Sequence, residues 1–150
     1  MRIGVIGRTK YLFDAMILLV EKGHEIVFIS TCKEENYYCF PSINYKNYAL
    51  ANSIKYIEMN DLINKYSEII SLNVDICISM NWMFLLKKEF LNLFKYGIIN
   101  CHPGDLPKYK GNACPNWAIL NHEDSACICI HEMNSELDSG DIYKKKFFKL

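Results

Sequence analysis

Three side chains in this sequence have the types and spacing to act on one reacting atom. Asn100 and His102 stand two residues apart at the end of the apolar run from Gly97 to Cys101, so a strand there points both from one face. Both can donate hydrogen bonds, and two converging donors suit an oxygen that gains negative charge during a reaction. Pro103 stops the strand, and the polar, Gly- and Pro-rich stretch from His102 to Asn112 is a loop with a fixed irregular path. Further on, Leu137-Asp138-Ser139-Gly140-Asp141 offers two carboxylates between two strand-like runs. Alone, that segment is a hydrogen-bonded turn, and a lone strand-end histidine is a satisfied structural group. Their combination is what points to chemistry.

The phrase from Asn100 to Gly111, Asn-Cys-His-Pro-Gly-Asp-Leu-Pro-Lys-Tyr-Lys-Gly, resembles the signature Asn-x-His-Pro-Ser-x-Leu-Pro-x-Tyr-x-Gly of the folate-dependent formyltransferases. A second block agrees in order and spacing: Trp117 to Asn121, then Ile130-His131-Glu132-Met133, then Leu137 to Ile142. The resemblance covers about residues 75 to 143 and implies catalytic roles for Asn100, His102 and Asp138. An amine attacking the formyl carbon of 10-formyltetrahydrofolate makes a tetrahedral oxyanion, which the Asn100 amide and a protonated His102 would stabilise. Asp138 would keep His102 charged and help remove the amine proton, directly or through a water. Asp141 competes for that role, but Asp138 is the acidic position the family motif retains. No metal is required.

The resemblance also implies a pterin site between Asn81-Trp82-Met83-Phe84 and the loop holding Asn134 and Leu137, although Trp82 reads equally as a packing aromatic. The segment from Gly111 to Trp117, with Cys127 to His131 after it, is most similar to enzymes that formylate nucleotide-linked amino sugars for surface polysaccharide. Arg8, Thr9 and Lys10, at a helix amino terminus, and Lys110, Gly111 and Asn112 are the candidates to meet that substrate. Glycinamide ribonucleotide and methionyl-tRNA are the alternative acceptors. The tRNA ranks last, because this neutral chain shows neither an additional domain nor a basic surface. One departure is Gly104, where the family commonly has serine.

Readings from other classes stay open. They are a formyltetrahydrofolate hydrolase with the same three residues, an inactive nucleotide- or folate-binding remnant, and a nicotinamide oxidoreductase. The last is weakest: Gly4-Val5-Ile6-Gly7 lacks the third glycine of the dinucleotide turn, where Thr9 stands, and Ser30 and Thr31 replace the acidic residue expected after the second strand.

Positioning these residues calls for strands alternating with helices. Arg2 to Ile6 is a buried strand, and Leu12, Ala15, Met16 and Leu19 mark one helix face that stops near Gly23. His24 to Ser30 is the second strand of a right-handed βαβ unit. Residues 31 to 50, with Tyr37, Tyr38, Tyr45, Tyr48 and Pro41, form a long connection holding one short helix near Tyr45 to Asn52. Ile54 to Ile57 is a short strand, Asn60 caps a helix, and Leu62, Ile63, Tyr66, Ile69 and Ile70 form that helix's buried face. Val74 to Ser79 and Gly97 to Cys101 are strands flanking a helix over Lys87 to Phe94. Pro115 opens a helix to Leu120, and Ala126 to Glu132 and Ile142 to Leu150 are strands about the turn Asn134 to Gly140. The expectation is an α/β, Rossmann-like, mostly parallel twisted sheet with helices on both faces and the last strands antiparallel. Its sites belong at the carboxyl ends of the strands, after Ile6, Ser79, Asn100 and Glu132.

Bulk properties agree with this picture. The chain of 150 residues, 51% apolar with 17 acidic and 17 basic side chains, suits one catalytic domain over residues 1–150; its end within a strand leaves a shortened carboxyl terminus as an alternative. The net charge of zero gives no general reason to bind nucleic acid or a membrane, and Lys144-Lys145-Lys146 reads as the wet edge of a strand. Seven cysteines without a CxxC pair suggest reduced thiols in the cytoplasm. The longest apolar run, Ala15 to Val20, is far below the ~20 residues that span a bilayer. A second copy of the chain is the protein partner left open.

Overall fold

Short apolar runs ending in glycine or a polar turn alternate with helix-spaced ones, and the computed structural model follows that rhythm. It describes residues 1–35 and 39–150, and of Ile63 the backbone alone; the expectations for Tyr37, Tyr38 and the Ile63 side chain lie outside it. The described elements run β1 (Arg2–Gly7), α1 (Lys10–Glu21), β2 (Glu25–Thr31), α2 (Ile43–Ala51), β3 (Lys55–Glu58), a 3-10 segment (Met59–Lys65), α3 (Tyr66–Ser71), β4 (Ile76–Met80), α4 (Lys88–Leu91), β5 (Ile98–His102), α5 (Cys114–Leu120), β6 (Ser125–Glu132) and β7 (Ile142–Lys149).

The strands form one sheet in the order β3-β2-β1-β4-β5-β6-β7. From β3 to β5 all neighbours are parallel, and β6 and β7 pair antiparallel. The fold is therefore the expected Rossmann-like sheet with antiparallel last strands. Both faces are covered. On one, Ile3, Val5, Ile26 and Ile29 pack on Leu12 and Met16 of α1 and Tyr45 and Ala49 of α2. On the other, Ile6, Phe28, Ile57, Cys77 and Ile98 pack on Leu62, Ile69, Phe90 and Phe94.

The strand order reverses between β1 and β4, the kind of switch point at whose carboxyl ends open α/β sheets bind ligands. Gly7 makes the tight exit there. Its φ is +137°, and a Cβ would stand 2.1 Å from the Met80 carbonyl oxygen, so Gly7 serves backbone approach between β1 and β4, while a Cβ at Gly4 would meet the Phe28 ring of β2 at 2.2 Å.

Two helices differ from expectation. Asn60 does not cap a helix: β3 ends at Glu58 and the chain turns at once into the tighter 3-10 segment. The helical axis resets at Tyr66, so Ile69 is buried while Ile70, about 100° further round, is 57% exposed. The helix expected over Lys87 to Phe94 spans only Lys88–Leu91, and Phe94 reaches the core from the turn that follows.

Candidate active site

Strand register brings the polar side chains together. Across the sheet, Ser79 of β4 stands beside Asn100 of β5, and Asn100 stands beside His131 of β6. One step along, His102 stands beside Cys129. Asn100, His102 and His131 thus share one face and are 9%, 4% and 1% exposed. Buried polar groups need partners, and each has one. Asn100 Nδ2 lies 3.1 Å from His131 Nε2, His131 Nδ1 lies 2.7 Å from the Glu132 carbonyl, and His102 Nε2 lies 2.8 Å from the Tyr109 carbonyl.

Asp138 joins them from the loop between β6 and β7. The Asn134 side chain folds that loop, its oxygen accepting from the Glu136 amide at 2.9 Å and from the Ser139 hydroxyl at 2.7 Å. Asp138 then adopts a left-handed φ of +44° and turns its carboxylate inward. Oδ2 accepts the Gly111 N–H at 2.8 Å and stands 3.5 Å from His102 Nδ1, while Oδ1 stands 3.7 Å from His131 Nε2. A carbonyl can only accept, so His102 donates through Nε2 to Tyr109, and its Nδ1 is the nitrogen turned to Asp138. Asp141 is exposed, and its backbone carbonyl serves β6 by accepting from Glu132.

Gly104 has a steric reason to lack a side chain. A Cβ there would lie 2.6 Å from His102 Nε2, 2.7 Å from the Tyr109 oxygen and 2.8 Å from Cys114 Cβ. Cys114 occupies that space instead, its sulfur 3.4 Å from His102 Nε2, and burial pushes its thiol pKa up.

The signature loop is braced from β7. Lys145 is not simply a wet edge residue: its ammonium lies 2.7 Å from Asp105 Oδ1 and also donates to the Leu106 carbonyl. Asp105 with Cys127 and Cys129 places one oxygen and two sulfurs within 4.8 Å of one another, a possible ligand set by type. The ammonium already balances Asp105, and burial first pushes the Cys127 thiol up to about 11, so this cluster is a brace.

The remaining sequence candidates lie on the segments that follow β1, β4, β5 and β6. Thr9 caps α1, accepting from the Leu12 N–H at 3.4 Å, and the Thr9 carbonyl takes a 2.7 Å bond from the buried Tyr45 hydroxyl. Arg8 is buried with Nη1 3.6 Å from Glu35, and Lys10 pairs with Asp14 at 2.6 Å one turn on. Trp82 packs against the core cluster of Phe90 and Phe94, while Met83, Phe84 and Leu137 leave 48%, 52% and 53% of their surfaces exposed. Asn81 adopts a left-handed φ of +55° at the exit of β4. Lys110 and Asn112 are exposed beside Gly111. The sequence placed His131 within a motif block and Lys145 on a strand edge without giving either a role at the site; those roles come from cross-strand register, which local spacing does not carry.

A sequence model described as formyl transferase matches residues 25–149. The methionyl-tRNA formyltransferase of Alkaliphilus oremlandii is 32% identical over 151 residues, covering 97% of this chain and 49% of that protein. The chain spans about half the length of the curated relatives it matches. Among solved structures, the phosphoribosylglycinamide formyltransferase from Bacillus halodurans superposes with a TM-score of 0.82 at 17% identity, over 100% of this chain and 80% of that one. A sugar 3N-formyl transferase, solved in the presence of dTDP and 5-N-formyl-THF, gives a TM-score of 0.74 at 22% identity, over 100% of this chain and 52% of that one.

Proposed function

Because this chain belongs to the formyl transferase family, we propose that it moves the formyl group of 10-formyltetrahydrofolate to the amine of a nucleotide-linked amino sugar, through Asn100, His102 and Asp138. The observation that carries the reading is their convergence: one half-buried carboxylate stands 3.5 Å from His102, and His131 links Asp138 to Asn100 at 3.7 and 3.1 Å.

Chemistry follows from the free valences. The amine nitrogen attacks the formyl carbon, and the carbonyl electron pair moves onto oxygen. Asn100 retains one amide proton for that oxyanion, and an imidazolium at His102 offers its Nδ1–H, since Nε2 is held by Tyr109. Asp138 takes the proton of the new ammonium, directly or through a water. Collapse of the intermediate breaks the bond to N10 of the folate, which leaves with the proton that Asp138 returns, directly or through a water.

Met83, Phe84 and Leu137 are uncovered apolar groups on the two loops that would enclose the pterin, with Asn81 and Asn134 shaping the loops and Trp82 backing the first from the core. Arg8, Thr9, Lys10, Lys110, Gly111 and Asn112 are the proposed contacts to the nucleotide-linked substrate. Under the same reading the chain is one catalytic domain working in the cytoplasm without a metal, as a monomer or homodimer. Among the described residues, no helix is long and apolar enough to cross a membrane.

A second acceptor has an observation of its own: the curated relatives at 32% and 29% identity are methionyl-tRNA formyltransferases. Incubating the protein with 10-formyltetrahydrofolate and either nucleotide-linked amino sugars or methionyl-tRNA, followed by mass, separates the two. One formyl mass gained on a sugar alone supports the first reading. Gain on the tRNA replaces it with the second, and donor consumption without either product points to hydrolysis.

A further inference from the structure

We propose that His131 is a positioning residue that fixes the orientation of the Asn100 amide, acting as a neutral imidazole protonated on Nδ1. The role in transfer rests on the function proposed above; the hydrogen-bond assignment stands on the geometry alone.

The assignment is a matter of counting donors. His131 Nδ1 lies 2.7 Å from the Glu132 carbonyl oxygen, which can only accept, so Nδ1 carries a proton. In a neutral ring Nε2 is then a bare lone pair, and its partner 3.1 Å away must be the Asn100 N–H, not the Asn100 carbonyl. The amide is thereby oriented with its nitrogen toward β6. One of its two protons is spent on His131, and the other is left for the site. A flipped amide would present an oxygen to the oxyanion and repel it.

Burial makes the neutral ring the stable one. His131 is 1% exposed, and loss of hydration pushes its pKa below the usual histidine range, against the raising effects of the Glu132 carbonyl and Asp138. The titratable groups that face it are Asp138, from the β6–β7 loop, and His102, whose ring lies 6.1 Å away at 84°. Protonation of Nε2 would remove the acceptor for the Asn100 N–H and favour the flipped amide. Orientation of the donor is thus tied to one proton on a residue buried behind it.

Two measurements test this. Nitrogen-15 NMR of the imidazole at pH 7 should show Nδ1 protonated and Nε2 bare, with an Asn100 side-chain amide proton close to the His131 ring; a protonated Nε2 overturns the assignment whether or not the protein is active. In formyl transfer, His131→Met, which has no comparable acceptor, should lower kcat roughly tenfold with little change in either KM. His131→Gln, whose side-chain oxygen can accept from Asn100, should recover most of that loss. Equal losses in both variants, tracking a fall in Tm, would reduce His131 to a packing residue. Absence of transfer by the unmodified protein would overturn the catalytic role, and the NMR result would still decide the assignment.

Discussion

In the proposed reaction, single residues at this site divide into those that face the reacting atoms and those that hold them. Asn100→Ala should cut kcat by about 10²–10³ with KM nearly unchanged, because its free amide proton is used mainly when charge develops on oxygen. His131 also has a consequence for stability. Its folded pKa lies below the ordinary value of 6.5, so the unfolded chain binds the extra proton more readily than the folded one. Its contribution is fully present above 6.5 and is lost as pH falls through the folded value; urea unfolding followed from pH 7.5 downward should show His131→Gln less acid-sensitive than the unmodified protein. Asn100, His102 and Asp138 were legible as candidates in the sequence because two sit at i and i+2 on a strand and the third is the acidic position kept by the motif that the segment resembles. His131 was not, since Cys127-x-Cys129-x-His131 has the alternation of any half-buried strand. Only pairing β6 against β5 reveals what it faces.

The elements position these groups through close backbone approach. Gly104→Ala would drive a methyl group to 2.6 Å from His102 Nε2 and 2.7 Å from the Tyr109 oxygen, disturbing the bond that fixes the His102 ring. It should destabilise the fold by about 1–3 kcal/mol and lower kcat more than the stability loss explains, read by urea unfolding beside steady-state kinetics. Lys145→Ala should release Asp105 and Leu106, lowering kcat while barely moving Tm, because the ion pair itself is partly solvated. Strands were legible here from apolar runs bounded by turn residues. The 3-10 segment and the short α4 were not, because Met59 to Lys65 and Lys87 to Phe94 carry apolar residues at helical spacing without the caps that fix a helix's ends. Helix α2 is tied to the loop before α1 by a tertiary contact, the Tyr45 hydroxyl to the Thr9 carbonyl, that no local pattern announces.

Across the whole molecule, residues gathered on β5, β6 and the loop after β6 need the antiparallel pairing of β6 against β5; the mostly parallel sheet with antiparallel last strands was predictable from the alternating strands and helices, while the strand order was not. The edge strand β7 leaves Ile142, Tyr143, Phe147 and Phe148 at 40%, 57%, 56% and 42% exposure. Sedimentation should therefore show association that grows with protein concentration and weakens when Phe147 and Phe148 are replaced by Ser. In the proposed reaction one carboxylate, that of Asp138, serves the transfer of the formyl group. The most direct test of that role is the rate of formyl transfer by Asp138→Asn against the unmodified protein, with folate binding measured in parallel. A rate lower by about 10²–10⁴ with donor affinity retained is the predicted result. An unchanged rate would contradict the account.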